Sequence, residues 1–115
     1  MNAGHYVAWF LGGAFLLNAV PHIVAGAMGR PFPSPFATPP GQGLSSSTVN
    51  VFWGFFNLLV AWGLLARVGR FDPGAPGPVL AAGLGAFALA LLLARRFGRF
   101  NGGDLARTQE ETPPR

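Results

Sequence analysis

The chain has 115 residues, enough for one domain, with half of them apolar and only 10% charged, against about a quarter charged in a typical soluble domain. So little polar sequence cannot cover a soluble fold, and the composition points to an integral membrane protein. Net charge is +4, but the basic residues are all arginines at or beyond the ends of hydrophobic runs. Membrane insertion explains that placement, whereas a nucleic-acid binder needs a clustered basic face. With no cysteine, disulfides, thiolate metal sites and cysteine nucleophiles are excluded.

The first apolar run, residues 6–28, carries no acid, lysine or arginine. As a helix its 23 residues cover roughly 34 Å, enough for a hydrocarbon core of about 30 Å. Tyr6 and Trp9 stand at its start, where interfacial aromatics are expected. Pro21 removes one backbone hydrogen bond, so the sequence predicts a kink near Leu17 and Asn18. A cleavable signal sequence is the rival reading, because Ala25-Gly26-Ala27 has a small-x-small form. No Lys or Arg precedes the run, which favours an uncleaved span.

Residues 29–48 form a linker with prolines at positions 31, 33, 35, 39 and 40. That density forbids a regular helix and favours extended or polyproline II backbone. Phe32 and Phe36 are expected to press onto the bilayer interface or the protein, and Ser46, Ser47 and Thr48 offer caps for the next helix.

The second helix is expected over 46–66 and is closed by Arg67 and Arg70. A connector rich in Pro and Gly leads to the third, expected over 78–96 and ending in Arg95, Arg96 and Arg99. Both apolar runs are short, which suits a thinned bilayer or snorkelling arginines. Residues 101–115 are polar and are expected to be disordered. The fold class is therefore all-α, a three-span membrane bundle with a Pro-rich first loop. More arginines fall on the side of the first loop and the tail, which predicts a cytoplasmic C-terminus.

Polar groups inside a span face other helices or a cavity. Asn18 and His22, four residues apart, share one helix face. Asn50, Gly54, Asn57 and Ala61 align on the second helix, and the small residues among them allow close approach. Two readings compete for Asn18, His22, Asn50 and Asn57. They are interhelical glue, or they form a ligand pocket with Phe32, Ser34 and Phe36 of the loop as its lid. His22 is the strongest single candidate, since imidazole can carry a proton or bind a ligand. His5 and His22 lie about 25 Å apart on one helix, too far to hold one haem, leaving only a site shared between subunits. No metal site or cofactor is expected within the chain. Ala82, Ala86, Ala90 and Ala94 form a small-residue stripe suited to contact within the bundle or to self-association.

Absences narrow the chemistry. All four acids lie in connectors or the tail, so the intramembrane carboxylate of proton-coupled exporters is missing. No phosphate-binding, hydrolase-elbow, zinc-protease or dinucleotide motif occurs. Pro21-His22, the run Pro31-Phe32-Pro33-Ser34-Pro35-Phe36-Ala37-Thr38-Pro39-Pro40-Gly41-Gln42-Gly43, and Asn50-Val51-Phe52-Trp53-Gly54-Phe55-Phe56-Asn57 together form a pattern. It resembles that of small uncharacterised bacterial integral membrane proteins. The resemblance covers residues 18–60 and implies a membrane location without an activity. The leading expectation is a non-enzymatic binding or accessory subunit of the bacterial inner membrane. The second is an oligomeric transporter or channel for a small neutral or anionic solute. The third is a membrane enzyme using His22 with a lipid or quinone.

Overall fold

The computed structural model describes residues 2–101 and Gly103; the expected disordered tail lies outside them except at Asn101 and Gly103. It is all-helical: α1 (Ala3–Ala27), α2 (Ser47–Trp62) running on into a π-helical turn (Gly63–Val68), and α3 (Pro76–Asn101). All three are long and apolar enough to cross a membrane, so the chain is a multi-pass membrane protein.

Each helix is longer than its apolar run. Asn2 caps α1 with its side chain on the His5 N–H, and His5 reaches back to the Asn2 N–H, satisfying two otherwise orphaned donors. His5 is thus a capping residue. Ser46 accepts from the Val49 N–H at 3.1 Å and starts α2. The π turn carries the second span to 22 residues. Pro76 and Pro78 sit in the first turn of α3, where a missing N–H leaves nothing unpaired. The third helix then continues through its arginines, because their long stems can lie along apolar surface. Neither span is short, so no thinned bilayer is required. α1 itself continues without a break through Pro21.

α1 is the hub. It packs against both α2 and α3, while no Cα of α2 comes within 8 Å of one in α3. The result is a flat slab with extents 54 × 31 × 22 Å, and a groove runs between α2 and α3 with α1 as its floor. Glycines set the depth of both α1 interfaces. A Cβ on Gly26 would overlap the Ser47 carbonyl, and one on Gly54 would overlap Ile23. On the other side Gly13 lies against the backbone of Ala82, and Gly85 against that of Phe10. Ala82 therefore spends its face within the chain, on α1.

Burial follows membrane rather than soluble logic. Phe52, Leu80 and Phe87 point outward, while Ala8, Ala19, Ala61, His22, Asn50 and Asn57 are buried. Lipid solvates large apolar groups, so the interior is left to small residues and to polar groups that find partners. Trp9, expected among the interfacial aromatics, packs inside the protein. It is 2% exposed, and its indole N–H donates to the Gly69 carbonyl at 2.8 Å. The absent side chain at Gly69 makes room, since a Cβ there would lie 2.6 Å from the indole. Replacing Trp9 with Phe keeps the bulk and removes that hydrogen bond. We expect a loss of about 1 kcal/mol, seen as earlier thermal unfolding in detergent; unchanged unfolding would refute this contribution.

Candidate functional site

The Pro-rich loop leaves α1 through Gly29, whose φ of +72° suits a residue without a Cβ. The Arg30 N–H returns to the Ala25 carbonyl at 2.9 Å, closing the helix end. Phe32 and Ser45 then pair as an antiparallel bridge, with N–H to carbonyl distances of 3.1 and 2.9 Å. Between them the chain folds back on itself rather than extending as polyproline II. The Ser34 carbonyl accepts from the N–H groups of Ala37 and Gly41, the Ser34 and Ser45 hydroxyls are hydrogen-bonded, and Thr38–Pro39 is cis. The loop is a closed Ω-shaped cap over one end of the slab.

Asn50 holds that cap to the helices. It is 0% exposed, and its Nδ2 faces the carbonyls of Phe32 at 3.0 Å, Ser46 at 3.0 Å and Ser45 at 3.3 Å. Carbonyls only accept, so this atom is the amide nitrogen and the remaining atom is Oδ1. Oδ1 lies 2.7 Å from His22 Nδ1, which must therefore be the donor. The proton on Nδ1 leaves the neutral ring with its lone pair on Nε2. Nε2 has no hydrogen-bond partner among the described residues.

The second pair, one turn or two deeper, follows the same logic. Asn57 Nδ2 donates to the Trp53 carbonyl at 2.7 Å, and its Oδ1 accepts from Asn18 Nδ2 at 2.9 Å. Asn18 Oδ1 is then left over as a second acceptor. The structure thus brings Asn18 to Asn57 and His22 to Asn50. It ties both residues of α2 to protein partners, and leaves one acceptor on each residue of α1.

Asn18 and His22 both line a cavity of about 320 Å³ beneath the cap, together with Ser34, Trp53, Arg96 and Phe97 among others. A neighbouring space of about 230 Å³ in the groove shares Asn18 and Trp53 with it and reaches Phe15 and Leu89. Of the lid residues, Ser34 is buried. The Phe32 ring stands edge-on to His22 at 5.4 Å and to Phe97 at 5.1 Å. Phe36 is exposed and leans on Trp53, with ring centroids 5.3 Å apart.

Three residues of this site escape the sequence reading. Trp53 sits three after Asn50 and four before Asn57, so helical spacing alone could have placed it on the same face. Its indole N–H is covered and finds no partner among the described residues. Phe97 and Arg96 carry no such signal, because only the length of α3 brings them back to the loop. The Arg96 guanidinium lies against Gly41: a Cβ there would sit 2.9 Å from it.

Comparison with known proteins finds no matching family, curated protein or solved structure. The fold and site therefore define a class by their own geometry, a three-span membrane protein with a tied cap over a small mixed-polarity cavity.

Proposed function

We propose that this chain is a non-enzymatic binding or accessory subunit of the bacterial inner membrane, with the first loop and the facing helices as its recognition surface. One observation carries the reading. The cap is fixed over a cavity in which His22 Nε2, on a residue 2% exposed, has been left without a protein partner. Nε2 is not among the covered polar atoms and His22 lines the cavity, so this acceptor is open to a guest there. Arg30, Arg95, Arg96 and Arg99 gather at the capped end, against Arg67 and Arg70 at the other, which supports a cytoplasmic C-terminus. Self-association, expected through Ala82, Ala86 and Ala90, would fall to Ala86 and Ala90, because Ala82 packs on α1.

Native mass spectrometry of the detergent-purified protein, with an absorption spectrum of the same sample, tests this reading. We expect a retained small molecule that is lost in His22→Ala, whose Ala residue leaves the cavity larger but without its acceptor. A clean protein mass in both forms, together with no uptake of added small-molecule ligand, would overturn it. A solute path lined by Asn18, His22, Asn50 and Asn57 is the second reading; of these Asn18, His22 and Asn57 line the two spaces, while Asn50 is occupied with the cap.

A further inference from the structure

The cavity offers fixed hydrogen-bonding groups rather than a generic apolar surface. His22 Nε2 and Asn18 Oδ1 are acceptors whose identity is set by their partners. They call for a ligand that donates. The Trp53 N–H itself is covered, so Trp53 offers the ligand its ring, whose centroid stands 6.3 Å from that of His22. A hydroxyl is a group that can donate to such an acceptor. Arg96, an exposed residue, also lines this cavity. It makes no hydrogen bond among the described residues and faces the ring of Phe100 at 5.7 Å. Its N–H groups can take a second oxygen.

Shape adds to this. The walls between these polar ends are flat faces, the rings of Trp53 and Phe97 and the prolines of the cap, which suit a planar ring. Beyond Asn18 and Trp53 the apolar groove continues along α1 between α2 and α3, with room for an aliphatic tail. The main cavity, about 320 Å³, falls at the lower end of the range for small-molecule sites, roughly 300–1,000 Å³.

We propose that this cavity binds the head of a lipid-soluble hydroquinone: one hydroxyl on His22 Nε2, the opposite oxygen on Arg96, and the tail in the α2–α3 groove. The inference rests on the binding reading above and names the ligand class for it. It concerns binding alone, with no electron transfer. It also sets a preference between redox forms. A quinone carries only acceptors, so its carbonyl would oppose the lone pair of His22, and Asn50 prevents the imidazole from presenting a proton instead.

The test uses the full chain in detergent under anaerobic conditions, with decylubiquinol and decylubiquinone as probes in equilibrium dialysis and native mass spectrometry. We expect the reduced form to bind roughly tenfold or more tightly, the effect of leaving a buried acceptor unpaired. Arg96→Gln should weaken binding several-fold. Leu93→Trp, which fills the cavity from α3 without touching the Asn50 network, should abolish it. This second variant keeps the test decisive if His22 substitutions unfold the protein. Equal or tighter binding of the quinone, or binding unaffected by Leu93→Trp, overturns the proposal. A different retained molecule, lost in His22→Ala and not displaced by the hydroquinone, would also overturn it while leaving the binding reading standing. If nothing is retained and neither probe binds, both fall.

Discussion

Replacing Asn50 with Leu should release the cap from the helices and destabilise the protein by about 3 kcal/mol. The size follows from the number of partners. One interhelical hydrogen bond in a membrane is worth on average about 0.6 kcal/mol, which would hardly register. Asn50 instead serves His22 and three loop carbonyls at once. Leucine has a similar volume, so packing is nearly kept, while several buried groups lose their partners together. Hydrogen exchange should then rise at the N–H groups of Phe32, Gly41 and Ser45, which are paired within the cap. Exchange in the middle of α3, held by its own helical bonds, should change little. Unaltered protection across residues 30–46 would refute the role given to Asn50. Asn50→Asp provides the internal control. It keeps an acceptor for His22 but turns an oxygen toward three carbonyls, so it should fare no better than leucine.

Gly13→Val has the second large effect, and its cause is steric. The atoms that a side chain at Gly13 would meet are the backbone carbon and oxygen of Ala82. A flexible side chain could swing aside, but a helix backbone cannot without moving the whole of α3. We expect a loss of about 1–3 kcal/mol, the usual cost of overpacking, with α3 separating from α1. A disulfide-trapping pair placed across that interface would report it as slower crosslinking. The contrast is Gly83→Val on α3, where a Cβ meets nothing within 4 Å. If both variants crosslink like the parent, the glycine contacts do not set the helix spacing.

Much of this architecture can be read from residue order. Three apolar runs give three helices, since lipid leaves few other options for a spanning backbone. The spacing of Asn50, Gly54, Asn57 and Ala61 places them on one face, and these are the four residues of α2 that are buried. What cannot be read is whatever depends on tertiary closure. Helix ends were set by Asn2, by prolines tolerated in a first turn and by arginines that extend α3. None of these is hydrophobic, so apolar runs understate every span. The cap closes through backbone pairing of Phe32 with Ser45, which no side-chain pattern announces. Trp9 found a carbonyl sixty residues away, and Arg96 reached the loop only because α3 is long enough to return to it.

The separation of α2 from α3 has a further consequence. A groove open along its flank exchanges with lipid, not with water, so an apolar guest reaches it by diffusing within the plane of the membrane. Its effective concentration is then a mole fraction among lipids. Diluting the sample with buffer would scarcely change occupancy, whereas adding lipid or detergent would lower it. Affinities for this protein are meaningful only when the guest-to-lipid ratio is stated.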